Sequence, residues 1–162
     1  KLKLHPDKTR LIEFGRFAAS NRERRDDRKP ETFNFLGFTH ICGKTRNGMF
    51  TVFRKTIRKK WHAKLKEVYT ELRRRMYAPI PEQGAYLRAV IGGHIRYYGV
   101  PLNSRAISSF RHAVRRLWLK VLCRRSQKTR VTWERMGKLA EHWFPPARIC
   151  HPHPLNRFGV IT

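Results

Sequence analysis

Between residues 61 and 121 apolar side chains recur at spacings of three and four in three successive runs. Trp61, Leu65, Val68, Leu72 and Met76 form the first stripe, and Leu87, Val90, Ile91, His94 and Tyr98 the second. Ile107, Phe110, Val114, Leu117 and Val121 form the third, which is the most regular. Such spacing puts side chains on one face of an α-helix, so the stretch predicts three amphipathic helices that bury their stripes against one another. Pro79 and Pro81 break the first helix, and the second is expected from Glu82 to Tyr98, stopped by Gly99 and Pro101. Ser104 is placed to N-cap the third helix, and Thr132 a short fourth one carrying Met136, Leu139 and Trp143.

Upstream of residue 55 the pattern is different. Lys1-Leu4 and Arg10-Phe14 are short β-rich pieces around a His5-Pro6-Asp7 turn, and residues 15 to 31 are polar and charge-dense, which predicts a loop. Residues 32 to 41 predict one strand and Met49-Phe53 a second, joined through a turn between Gly43 and Gly48 as a hairpin. From Pro145 the chain is rich in Pro and His and is expected to be irregular. The predicted fold class is therefore α+β: a small antiparallel β layer in residues 1–54, a three-helix bundle in 55–128, and a short helix with an irregular tail in 129–162. The opening KLKLHPDKT lacks Met and is already strand-like, which suggests a piece of a longer protein.

Charge narrows the function. The 162 residues carry 37 Lys and Arg against 11 Asp and Glu, a net charge of +26. A chain so charged repels itself unless an anionic partner neutralises it. Nucleic acid is the favoured partner, because each phosphate contact releases counterions; an anionic membrane surface is the weaker alternative, and no apolar run is long enough to span a bilayer. Three widely spaced cysteines, Cys42, Cys123 and Cys150, fit a reducing compartment, so an intracellular location is expected.

The cations are grouped. Arg54, Lys55, Arg58, Lys59, Lys60 and Lys64 crowd the start of the first helix, and Arg73, Arg74 and Arg75 its end. Arg111, Arg115, Arg116 and Lys120 lie off the apolar stripe of the third helix, and Arg124 and Arg125 extend that face. Cations at a helix N-terminus oppose the macrodipole, and a bound phosphate would relieve the opposition. A face that serves only solubility mixes both signs; between Gln83 and Trp133 there is no acidic residue at all. Long basic helices suit duplex RNA or an RNA–DNA hybrid, which proteins recognise by backbone and shape. Stacking on single strands would need exposed aromatic rings, for which Trp61, Tyr97, Tyr98, Trp118 and Trp133 are candidates. Tyr98 falls on the apolar face and is expected to be buried, whereas Tyr97 beside it is the better exposed contact.

Residues able to carry chemistry are few. Asp26-Asp27 is the sole adjacent acidic pair, of the kind a two-metal nucleotidyl-transfer site uses. Arg25 and Arg28 flank it in a polar run, which argues for a solvated loop. Cys150-His151-Pro152-His153 contains metal-ligand residue types, but no CxxC accompanies it, and a structural zinc site wants two ligand pairs. His94 on an apolar stripe reads as a hydrogen-bonded core histidine, and His62 and His112 as structural too.

The order of short motifs along the chain resembles a known family. Leu4-His5-Pro6-Asp7-Lys8-Thr9 and then Phe33-Asn34-Phe35-Leu36-Gly37-Phe38 look like the last two palm blocks of a group II intron reverse transcriptase. Arg54-Lys55-Thr56, Leu72-Arg73-Arg74-Arg75-Met76, Pro79-Ile80-Pro81-Glu82-Gln83-Gly84 and Gly93-His94-Ile95-Arg96-Tyr97-Tyr98-Gly99-Val100-Pro101 resemble the thumb, or maturase domain X. Arg124-Arg125-Ser126-Gln127 and the close from Ala147 through Pro154 to Arg157-Phe158 continue the likeness. The resemblance implies an RNA-directed DNA polymerase as the parent protein, which also assists folding and splicing of its host intron and takes part in intron mobility. The parent's Mg²⁺ would be held by aspartates of a Tyr-Ala-Asp-Asp-type hairpin, and no such hairpin occurs here, so no polymerisation, no catalytic residue and no cofactor are expected of this chain alone. By the same resemblance Lys8 matches the palm lysine near the nucleotide's phosphates, and Phe35, Leu36 and Gly37 the turn that grips the primer. The nucleic-acid-binding set then comprises the cations named above together with Arg96 and Tyr97. The implied partners are intron RNA, the template–primer duplex and the remainder of the reverse transcriptase. A non-enzymatic basic scaffold or general nucleic-acid binder is the alternative that composition leaves open.

Overall fold

The computed structural model describes His5, residues 9–125 and residues 131–153. The expected strand Lys1-Leu4, Lys8, Ser126-Gln127 and Arg157-Phe158 lie outside the described residues. The chain forms two compact units, Lys1–Lys55 and Thr56–Thr162. Its elements are α1 (Ala18–Arg24), β1 (Phe33–Phe35), β2 (Phe38–Lys44), β3 (Phe50–Thr56), α2 (Arg58–Arg74), α3 (Ile80–Tyr98), α4 (Ser104–Arg124) and α5 (Trp133–Trp143). A three-stranded antiparallel sheet followed by helices is an α+β fold, as the change of period predicts.

In the first unit the sheet order is β1-β2-β3. The single strand expected over 32–41 is two strands. Leu36 and Gly37 both have positive φ, 45° and 81°, and turn the chain so that Phe35 pairs with Phe38 and Phe33 with His40. A two-residue turn with both central residues left-handed matches the twist of antiparallel strands; glycine adopts that region freely and leucine at a cost. Phe33 stacks on His40 with ring centroids 4.8 Å apart and meets Phe14 edge-on. The segment Arg10-Phe14, expected to be β-rich, belongs to no regular element, and Leu11 is 98% exposed.

Residues 18 to 24 are a helix where a loop was expected. α1 ends in a Schellman motif: the N–H of Asp26 donates to the Glu23 carbonyl, the N–H of Asp27 donates to the Arg22 carbonyl, and Asp26 takes φ 55°. A Gly normally occupies that position, and an Asp there hides the helix stop from sequence. With Ala18 the one buried residue of α1, there is no apolar stripe to reveal the helix either.

The second unit is built on one core. Val68 and Leu72 of α2, Leu87, Ile91 and Ile95 of α3, and Phe110, Val114, Trp118, Val121 and Leu122 of α4 are buried together with Met136, Ala140 and Phe144 of α5 and its exit. α5 therefore shares the core of the three longer helices. Its N-cap is Thr132, whose hydroxyl accepts from the Arg135 N–H, as the sequence predicts.

Two buried polar side chains fix the helix connections. The Gln83 amide donates to the carbonyls of Arg75, Met76 and Ala78 at the end of α2, and its Oε1 accepts from the indole N–H of Trp118 at 2.8 Å. Trp118 is therefore a core residue and no stacking platform. Asn103 accepts from the Thr56 N–H and donates to the Thr56 hydroxyl and the Tyr98 carbonyl. Ser104 is accordingly the first residue of α4 rather than its cap; Asn103 occupies the cap position with its side chain turned to those other partners. Pro81 sits inside the first turn of α3, where its missing N–H costs no helical bond, so that helix begins at Ile80 and α2 stops at Arg74. Gly84 lies where a Cβ would overlap the Trp143 ring, which lets α5 approach α3 closely.

Candidate nucleic-acid interface

The strongest concentration of free cations is at the start of α2. Its first turn contains Arg58, Lys59 and Lys60, all exposed, with no acidic residue and no side chain capping its N–H groups. Four N–H groups at a helix N-terminus lack helical acceptors, so this end combines backbone donors, the positive dipole end and three side-chain cations. Between α2 and α3 runs a groove of about 830 Å³, with Lys59, Lys60 and Lys64 on the α2 wall and Val90, Gly93, His94 and Tyr98 on the α3 wall. Lys64 pairs with Glu67 at 2.7 Å. Among the described residues no carboxylate lies within ion-pair distance of Arg58, Lys59 or Lys60. Arg54 and Lys55, in β3, belong to the first unit, Arg54 partly buried and Lys55 exposed.

A second group joins α2 to α4. Lys120 lies over the Tyr69 ring at 5.3 Å, and Arg124 donates to the Tyr69 hydroxyl at 3.4 Å. Lys66, Arg116 and Lys120 line a surface groove there with Leu65 and Leu117. Lys120, held by the face of that ring, keeps its charge available to a phosphate. Lys66 was missed by sequence reasoning, since only the α2–α4 packing brings it beside Arg116.

Other expected contacts are occupied within the protein. Arg111 donates to the carbonyls of Pro145 (3.1 Å) and Ala140 (3.4 Å) and lies over Phe144. It anchors the exit of α5. Arg88, which the sequence pattern does not single out, does the same from α3, donating to the carbonyls of His142 and Trp143. Arg115 stacks on Trp133 with its guanidinium 4.2 Å from the ring centroid. Arg74 and Arg75 both pair with Glu71, and Arg75 also with Glu82. Their hydrogen bonds, that of Arg74 first, hold the Glu71 carboxyl down at about 2. Arg125 donates to the Tyr77 carbonyl, whereas Arg73 is exposed with no such tie. Arg96 and Tyr97 are exposed near the end of α3, Tyr97 by 51%. There the tail docks: the N–H groups of Cys150 and His151 donate to the Gly99 carbonyl, and the His151 ring donates to the Arg96 carbonyl at 2.6 Å.

At the hairpin tip Phe35 and Leu36 are exposed, by 58% and 66%, while Gly37 is buried. His94 is buried and stacks on Phe110 with centroids 3.6 Å apart, but its Nε2 has no hydrogen-bond partner among the described residues, where a hydrogen-bonded core histidine was expected. Asp26 and Asp27 do not fit a Mg²⁺ site: their backbone closes α1 and Asp27 pairs with Arg25 at 3.5 Å. Among the described residues no three His, Cys, Asp or Glu side chains gather as metal ligands, and no helix is long and apolar enough to cross a membrane. Comparison with family models, with curated proteins and with solved structures finds no match.

Proposed function

We propose that this chain is the end of the palm and the RNA-binding thumb, or maturase, portion of a group II intron-encoded protein. Its work is to bind: to assist folding and splicing of intron RNA, and to hold the template–primer duplex while the complete polymerase copies it. Phe35, Leu36 and Gly37 would grip the primer, and the polymerase's Mg²⁺ belongs to aspartates of the parent rather than to any group described here. One observation carries the reading. The helical unit presents Arg58, Lys59 and Lys60 at an uncapped helix start, and Arg116 and Lys120 along α4, with no carboxylate among the described residues paired to any of them. Phosphates would supply the missing counter-charge. The motif order supports the family assignment, and the exposed Leu11, Phe17, Phe35, Leu36 and Met49 of the first unit suit a sheet that meets the remainder of a palm.

The test is binding of the purified chain to a structured group II intron transcript and to an unrelated duplex RNA of equal length, over a range of salt. Preference for the intron is expected, with log K falling linearly in log salt at a slope set by the number of phosphates contacted. An affinity indifferent to salt overturns the reading. Equal affinity for both RNAs overturns the maturase assignment and leaves a general basic binder.

A further inference from the structure

Ser108, Arg111, His112 and Arg115 recur at spacings of three and four and so share one face of α4. With Pro146 and Ala147, just past α5, they line a surface pocket of about 520 Å³. Arg111 and Arg115 are both partly buried and lie one turn apart, a spacing at which like charges repel. The carbonyls of Pro145 and Ala140 accept from Arg111 but leave its charge uncompensated. Arg115 stacks on Trp133, and among the described residues its guanidinium makes no hydrogen bond and no ion pair. Of the α5 carboxylates, Glu134 pairs with Lys138, and Glu141 comes within ion-pair distance of neither arginine.

Two partly buried guanidinium groups without a counter-ion are costly, and a bound anion removes the cost. We propose that this pocket binds a phosphate group and, resting on the reading of the chain as an RNA binder, that the group belongs to the RNA backbone. The donors fit a phosphate, which presents more oxygens than a carboxylate. Guanidinium N–H groups match those oxygens in pairs, and the exposed Ser108 hydroxyl and His112 ring add further donors. Arg111 is already fixed by its two carbonyls and Arg115 by its ring, so little side-chain entropy is lost on binding. The pocket is larger than a bare phosphate ion, which leaves room for the sugars on either side of a backbone phosphate. It shares no residue with the α2–α3 groove or the α2–α4 groove, so its contribution is separable from theirs.

The experiment compares Ser108→Glu, which adds a carboxylate at the pocket, with Ser109→Glu, which adds the same charge at an exposed position of α4 outside it. The full chain is titrated with inorganic phosphate at constant ionic strength, followed by the thermal midpoint, and with duplex RNA, followed by fluorescence anisotropy. Without ligand, Ser108→Glu is expected to raise the midpoint, because a carboxylate three residues before Arg111 counters its charge. Phosphate is expected to raise the midpoint of the wild type and of Ser109→Glu and to leave that of Ser108→Glu unchanged. Ser108→Glu should bind RNA about tenfold more weakly than Ser109→Glu. If the two variants match in both titrations, the pocket is not a phosphate site. Loss of the phosphate response in Ser108→Glu with equal RNA affinity in the two variants overturns the RNA source and leaves a site for a free phosphate. A wild-type chain that responds to phosphate and binds no RNA keeps the pocket and overturns the broader reading of the protein.

Discussion

Burial and charge act together on the imidazole of His94. Desolvation, followed by the nearby Lys64 charge, pushes its pKa from 6.5 down to about 4. Between those values the unfolded chain binds a proton that the folded chain does not, so stability rises with pH through that window and is level above it. Moving from pH 7.5 to pH 5 is therefore expected to cost the helical unit about 2 kcal/mol. Urea midpoints at the two pH values measure it, and His94→Phe should remove most of the difference; an unchanged difference in that variant places the titration elsewhere. The sequence placed His94 on an apolar stripe correctly, because periodicity alone decides which face a helical residue occupies. It did not foresee the unpartnered Nε2, since partners come from other elements. Trp118 makes the same point: an indole that could have stacked on a base donates instead to Gln83, 35 residues away in the chain.

At the scale of elements, the helices with long apolar stripes were legible and the short ones with unusual ends were not. α2, α3 and α4 fall where the three runs put them, with boundaries shifted by a few residues because Pro81 is accommodated in a first turn and Asn103 holds the cap position of α4. α1 was hidden by its Asp26 stop. A left-handed residue with a Cβ is disfavoured there relative to glycine. Asp26→Gly is therefore expected to stabilise the first unit by about 0.5–1 kcal/mol, read by chemical denaturation. Destabilisation would mean that the Asp26 side chain contributes more than the φ strain costs. The hairpin teaches the complementary lesson. Phe33 to Phe38 reads as one apolar run, and only the positive φ values of Leu36 and Gly37 divide it into two paired strands.

For the whole molecule, a charge of +26 makes an anionic partner expected, but it does not say which cations are free to meet one. The fold sorts them. Arg111 is engaged by two backbone carbonyls and a ring, whereas Arg116 is exposed and pairs with no carboxylate among the described residues. Arg111→Glu is expected to release the exit of α5 and lower the thermal midpoint. Arg116→Glu with Lys120→Glu should leave the circular dichroism spectrum unchanged and reduce both RNA affinity and the salt slope, by about one unit for each phosphate no longer neutralised. Intact folding in Arg111→Glu, or a weakened helical spectrum in the double variant, reverses the assignment of those side chains. By itself the sequence determined the fold class and the three long helices, and it set the expectation of an anionic partner, because these follow from local periodicity and summed charge. Only the tertiary structure decided which arginines hold the protein together, that α5 joins the common core, and that lysines of α2 face α3 across a groove. Those facts depend on which residues distant in the chain come within a few ångströms of each other, and no local pattern encodes that.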